Sequence, residues 1–391
     1  MTSQDSLQED VTPSESRPEQ RTVLAVTSHR PAEVMESVAG FDGETSVVTV
    51  DDSKGRLRRA IETFLAVRDA IRSDDPDLVL LDCFELTGAV TTALCRRNDV
   101  PVVARIVGDP WRGFENAIPA SITSIEDFER YVLYSSCLRL DDAIFDRASG
   151  FVTVSQELKT RVAGRTGVDP DRIGVVPVPI TADTTQGSSS AARESLGIGQ
   201  QRVVLTVTNL SFRAKFRGVR AVVLELQKLL QEDENLAYVV AGDGRYHGAL
   251  LDELDERIDN PDVRDRIYAP GFVDDVADLY ALADVFAYVS YRDGYPNAVL
   301  EAQTARLPVV ANAAHGMREQ ITDGEMGYLI DPSRPGALRE RVATLLANPS
   351  ERTRMGRLAR ERVMRENTPE AIGPQLEAFL VELLSTETTE R

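Results

Sequence analysis

The sequence predicts an α/β protein of two doubly wound, parallel-sheet domains, and three observations carry the expectation. Short apolar runs such as 78–82 (LVLLD) and 236–241 (LAYVVA) alternate with stretches of helical period. Runs that are apolar throughout, rather than at every second residue, belong to sheets covered on both faces. The series starts twice, near residue 22 and again near residue 202. A length of 391 residues, 42% of them hydrophobic, suits two cores better than one.

The polar, acidic stretch 1–20 lacks the apolar content for a core and is expected to be a disordered tail. A strand at 22–27 leads into the turn Ser28-His29-Arg30-Pro31, where His29 or Arg30 is placed for substrate contact or for a plain surface loop. Strands follow at 46–50, 78–82 and 100–107, with helices at 55–73 and 87–97. In the first of these helices Leu57, Ile61, Phe64, Leu65 and Val67 recur at helical spacing. Asp109 and Trp111 sit just past the fourth strand, at the carboxyl end where such sheets bind ligands. Helix 125–146 is expected to turn Phe128, Val132, Leu133 and Leu140 to the core. Strand 151–155 ends in Ser155, which reads as the cap of helix 156–164, since no Gly-x-Ser-x-Gly elbow surrounds it. The two prolines within 173–180 suit a short stiff hinge, and 184–192 reads as a surface loop.

In the second series, strand 203–208 precedes a loop holding Arg213, Lys215 and Arg217, and a helix is expected over 219–231. Strand 236–241 ends in the turn Gly242-Asp243-Gly244; strand 267–271 and helix 276–283 follow. The stretch 290–330 then organises the chain. Asp293 and Gly294 form a turn, and Pro296 opens helix 297–305 at a position where its missing N–H loses no partner. A buried strand at 307–311 follows, and Gly316 precedes a further helix. Two strand-to-helix turns thus lie side by side, each offering unpaired backbone N–H groups that suit phosphate or sugar oxygens. Asp293 and Glu301, eight positions apart, both reach that crevice. Helices at 335–347, 351–365 and 371–384 close the chain, the first two with charges at three- and four-residue spacings that suit solvated faces.

This arrangement resembles the donor-sugar signature of the family 4 retaining glycosyltransferases, which have the GT-B fold. Its acidic residue, Gly-aromatic-Pro, later Glu and Pro-Val-Val strand fall here on Asp293, Gly294, Tyr295, Pro296, Glu301, Pro308, Val309 and Val310. The resemblance implies transfer of a sugar, with retained anomeric configuration, from a nucleotide-diphosphate sugar to a hydroxyl of a glycan, lipid-linked or surface-polysaccharide acceptor. It implies an acceptor-side domain over 21–178, a nucleotide-sugar domain over 179–366, and a terminal segment 367–391 whose helix returns to the first domain. Asp293 would hold the donor sugar beside the reacting carbon, and Glu301 the ribose hydroxyls. Arg213, Lys215 or Arg217 would stabilise the departing diphosphate, helped by amides near Asn297 and Gly316, and Gly242 would lie near base and ribose. Lys215 stands out as one of only four lysines. Asp109 takes the place where many members have His, and so would contact acceptor or donor sugar.

The chain departs from the family's pattern in three places. Asp293 stands where Glu is usual, no glycine follows the first strand, and Asn209 stands where an arginine is expected. These departures keep two alternatives open, a GT-B sugar-nucleotide epimerase and an inactive GT-B binding or scaffold protein. No metal or other cofactor is expected, because cationic side chains and helix-end amides serve the diphosphate. The spellings Asp75-Pro-Asp77 and Asp169-Pro-Asp171 lie in turns rather than at a strand end.

Composition narrows the rest. A net charge of −19 disfavours nucleic acid as a partner. Together with four lysines among 44 basic residues it fits a halophilic archaeal source, where salt screens dense carboxylates. Cys83, Cys95 and Cys137 lack paired metal-ligand spacing and read as reduced, buried thiols. No apolar run approaches a membrane span, and the polar start is no secretory signal. The expected location is the cytoplasm, with peripheral contact at the inner membrane face allowed by a lipid-linked acceptor; the oligomeric state is not legible.

Overall fold

The computed structural model describes residues 21–28, 31–115, 117–119, 121–181 and 187–390. His29 and Arg30 lie outside the described residues, as do the tail 1–20 and residues 182–186. The first half forms a six-stranded sheet from β1 (Thr22–Thr27), β2 (Glu44–Thr49), β3 (Leu78–Asp82), β4 (Val102–Ile106), β5 (Gly150–Thr153) and β6 (Ile173–Val175), in the order β2-β1-β3-β4-β5-β6. The second half forms another from β7 (Arg202–Val207), β8 (Leu236–Ala241), β9 (Ile267–Gly271), β10 (Val285–Tyr288), β11 (Val309–Asn312) and β12 (Gly327–Ile330), in the order β12-β11-β10-β7-β8-β9. All pairings are parallel. Helices cover both faces, so the apolar strands bury fully; every residue of β4 and of β8 is buried. Each such Val or Leu contributes roughly 1.5–3 kcal/mol of transfer free energy. This is the expected pair of doubly wound domains.

The strand orders locate the ligand crevices. In each sheet the chain winds outward from the middle in both directions, leaving a gap beyond the carboxyl ends of the two central strands. Those strands are β1 and β3 in the first sheet and β7 and β10 in the second. The two gaps face one another. The crossing between domains is stitched in both directions, because the Ile180 N–H donates to the Asn367 carbonyl at 2.7 Å and the Asn367 amide to the Val178 carbonyl at 3.1 Å. Beyond Asn367, helix Pro369–Glu390 buries Ile372, Leu376, Leu380 and Leu383 among Val23, Val34 and Val38 of the first domain.

One helix forms where its spacing predicts, and two local expectations are corrected. Helix Arg56–Asp74 buries Ala60, Thr63, Val67 and Ile71, while Leu57, Ile61, Phe64 and Leu65 are exposed. Helix Ile125–Phe145 buries Cys137, Asp141, Ile144 and Phe145; Phe128, Val132 and Leu133 are exposed and Leu140 is half-buried. In the second only the C-terminal part rests on the domain, whereas in the first the buried residues form a stripe along the length of the helix and the exposed apolar residues lie beside that stripe. The second correction is that part of the stretch expected as loop forms helix Ser189–Leu196, capped by the Ser188 hydroxyl.

Candidate active site

The β10-to-helix turn lies against the other domain. A Cβ on Gly294 would come within 1.9 Å of the Val107 carbonyl oxygen at the end of β4, a distance only glycine allows. Tyr295 next to it is buried among first-domain residues. Arg292 donates to the Asp109 carbonyl at 3.0 Å, and the Asn297 amide donates to Glu33 at 3.3 Å. Gly294→Ala is therefore expected to push the domains apart and cut turnover by roughly 10²-fold, the scale of an ångström of misplacement. Calorimetry should show ligand binding at the wall of Lys215, Asp293 and Glu301 reduced far less, since these three side chains all come from the second domain.

Three cavities run along the cleft. The largest, about 550 Å³, lies at the β7/β10 gap and is lined by Thr208, Lys215, Tyr288, Asp293, Asn297 and Glu301, with Glu33 from the first domain opposite. Lys215 and Asp293 also line a second cavity of about 150 Å³ with Asp109, Phe212 and Arg292. Those last three continue into a third, of about 390 Å³, at the β1/β3 gap.

Two tyrosine–carboxylate pairs build the first cavity. Tyr280, in helix Val276–Leu282, donates to Glu301 Oε2 at 2.6 Å, and Tyr288, the last residue of β10, donates to Asp293 Oδ2 at 2.7 Å. Burial, with the neighbouring carboxylate adding to it, raises both phenols well above their ordinary pKa, so each stays a fixed donor. Burial also raises the Glu301 pKa, which the Tyr280 hydrogen bond partly offsets. The Lys215 ammonium stands 3.3 Å from Asp293 Oδ2. Helix Asn297–Thr304 begins at the wall, where Asn297 and Ala298 line the cavity, and its first N–H groups have no partner within the helix.

The basic cluster is not a loop: helix Arg213–Glu232 starts six residues before its expected first residue, Val219. At 100° per residue Arg213 and Arg217 share one side and Lys215 faces nearly opposite. Arg217 lies over the Tyr291 ring at 4.9 Å, and of the three cations only Lys215 lines the cleft. Gly316 donates its N–H to the Gly294 carbonyl at 3.0 Å, so that amide is engaged in holding the two turns together. Gly242 lines none of the three cavities. With φ of +132° and no Cβ, it lets the β8 turn lie against the Thr208 carbonyl. Tyr295 and Pro296 line the first cavity and Gly294 the second. Asp109 lies in the cleft with Oδ2 paired to Arg161 at 2.7 Å.

Sequence reading missed Tyr280, Tyr288, Arg292 and Glu33. Glu33 pairs with buried Arg105 at 2.6 Å, and Arg105 also reaches Asp82 at 3.3 Å. Burial opposes the Arg105 charge, but the two carboxylates outweigh it and hold its pKa above the ordinary value. This fixed network presents Glu33 to Asn297 across the cleft. Among the described residues, no group of three or more His, Cys, Asp or Glu stands close enough to hold a metal ion. No helix there is long and apolar enough to cross a membrane.

Comparison with known proteins agrees with this geometry. Residues 19–184 match the model of Glycosyltransferase Family 4, and residues 188–362 that of Glycosyl transferases group 1. The D-inositol 3-phosphate glycosyltransferase of Xylanimonas cellulosilytica is 30% identical over 220 residues, 54% of this chain and 52% of that protein. The chain thus spans about half the length of the curated relatives it matches. The crystal structure of Anabaena HepE with UDP-glucose superposes with a TM-score of 0.69 at 19% identity, covering 93% of this chain and all of that one. Sucrose-phosphate synthase of Thermosynechococcus elongatus gives 0.70 at 17%, covering 94% and 100%. With both halves of the chain matched and the fold shared throughout, the protein belongs to the group 1 and family 4 glycosyltransferases of GT-B fold.

Proposed function

We propose that this protein is a retaining glycosyltransferase that moves a sugar from a nucleotide-diphosphate sugar to a hydroxyl of a glycan, lipid-linked or surface-polysaccharide acceptor. The observation that carries the reading is the wall shared by Lys215, Asp293 and Glu301 at the β7/β10 gap, directly opposite the other domain. Glu301, fixed by Tyr280, receives the ribose hydroxyls. The diphosphate lies between Lys215 and the start of helix Asn297–Thr304, and Asp293, oriented by Tyr288, holds hydroxyls of the donor sugar.

In the transfer, the acceptor oxygen bonds to the anomeric carbon while the bond from that carbon to the diphosphate oxygen breaks. The acceptor proton leaves to the departing phosphate. Lys215 meets the charge that builds there, a task that fixed cations and dipoles perform with little reorganisation. The reading calls for no metal cofactor. It is supported by the relatives named as transferases and by the HepE crystals that hold UDP and UDP-glucose.

The test is a screen of UDP-, GDP- and ADP-sugars by thermal shift and calorimetry, followed by NMR of the product's anomeric centre. Stabilisation by one nucleotide series and a product of retained configuration support the reading; a folded protein that binds no nucleotide removes it. The −19 charge with four lysines supports, as part of the same proposal, a halophilic archaeal source and work in a high-salt cytoplasm. The melting temperature should therefore rise through molar KCl as carboxylate repulsion is screened; a flat or falling profile counts against it.

A further inference from the structure

Helix Ile125–Phe145 carries an apolar stripe on the side turned away from the protein. Its buried residues Cys137, Asp141, Ile144 and Phe145 lie on one side. At 100° per residue Ile125, Phe128 and Val132 fall on the opposite side, where they are 80%, 55% and 46% exposed. Ile122, Tyr131 and Leu133 beside them are exposed as well. Together these six residues present roughly 600 Å² of accessible surface, the upper end of the largest apolar patch on an ordinary monomer. A chain of net charge −19 has no shortage of polar residues to cover itself, so the patch calls for a partner.

The helix supplies a fitting one in a second copy of itself. Past Val132 the same side continues through Ser136, Arg139 and Ala143, at three- and four-residue spacing. These are small or cationic, where the first half is bulky and carries Glu129. Glu129, Ser136 and Arg139 are exposed and Ala143 is half-buried. A two-fold axis crossing the helix midway between Val132 and Ser136 sets Ile125 against Ala143, Glu129 against Arg139 and Val132 against Ser136, each pair twice. Large side chains then fill the gaps over small ones, as in helices that pack close to antiparallel. Glu129 and Arg139 make no ion pair with any described residue, so each can meet the other across the axis. Burying the patch on both copies removes about 1,200 Å² from water, the low end of stable protein–protein interfaces. A membrane of anionic lipid fits less well, because Glu126, Asp127 and Glu129 crowd the leading end of the stripe.

We propose that this face joins two copies of the chain in a symmetric dimer, helix 125–145 of one lying antiparallel on helix 125–145 of the other. The dimer depends on neither the donor site nor the transferase reading.

Sedimentation equilibrium of the full chain should give twice the 43.0 kDa of one copy at micromolar concentration. Phe128→Glu removes two buried rings and strands two carboxylates, and should raise the dimer dissociation constant at least about 100-fold. Glu129→Arg sets cation against cation and should weaken the dimer about tenfold; adding Arg139→Glu should restore wild-type association. All three positions are exposed in the single copy, and circular dichroism on the same samples checks that each variant keeps its fold. Should Phe128→Glu lose its fold, the charge-swap pair decides. A wild type that stays monomeric up to about 100 μM, a dimer untouched by a folded Phe128→Glu, or a double variant no tighter than Glu129→Arg overturns the inference. So does a monomeric wild type that binds phosphatidylglycerol vesicles through Phe128, which would make the stripe a lipid-binding face.

Discussion

Glu301→Ala should lose nucleotide affinity by on the order of 100-fold. Hydrogen bonds to an ionised acceptor contribute roughly 1.5–3 kcal/mol each, and two ribose hydroxyls on one carboxylate come to about 3 kcal/mol or more, which is that factor. Glu301→Gln, which keeps one acceptor oxygen and loses the charge, should cost about tenfold. The wild type carries a further signature. Burial raises the Glu301 pKa, so its carboxylate is neutralised at a higher pH than an exposed glutamate. Nucleotide affinity should fall as pH drops toward that raised pKa, and the Gln variant should lack this component. Calorimetry between pH 8 and 5 checks both points, and unchanged affinity in Glu301→Ala would remove this residue from the site.

The fold was legible because parallel strands covered on both faces are written as uninterrupted apolar runs, and β3 and β8 match their expected bounds residue for residue. What stayed hidden has physical causes. Helix Ser189–Leu196 is short and polar, and its cap residue reads as readily as loop. The face of the helix at 125–145 was misassigned because spacing gives a helix's period but not how much of it meets a neighbour. At the site, Asp293 and Glu301 were visible through the spacing of their turn. Their partners were not: Tyr280 lies 21 residues from Glu301, and Tyr288 sits inside an apolar strand where a phenol reads as core. Asp141 was invisible for a related reason. One carboxylate in an amphipathic helix looks solvated until the packing shows it at 1% exposure, with burial pushing its pKa up to about 7.

Replacing Lys215 by methionine should lower kcat by about 10²–10³-fold, the range seen when one fixed donor to a developing charge is removed, with a smaller change in donor KM. The split follows from timing: the diphosphate gains its extra charge as the sugar departs, so most of the ammonium's contribution belongs to the transition state. Arg213 and Arg217 set the contrast. One turn of helix puts them on the side away from Lys215, and Arg217 covers Tyr291. Arg217→Gln should therefore keep kcat within about threefold, because a charge screened outside the cleft contributes little. Equal losses in the Lys215 and Arg217 variants would mean that the cluster acts as a diffuse positive field. A loss confined to Lys215 would mean that helix geometry selects one cation of three. Loss of the Lys215–Asp293 pair also frees the carboxylate, so a Lys215→Met, Asp293→Asn double variant separates the roles. If Lys215 acted only by orienting Asp293, the double variant would be no slower than Asp293→Asn alone; if it meets the leaving group itself, a further loss of at least tenfold should remain.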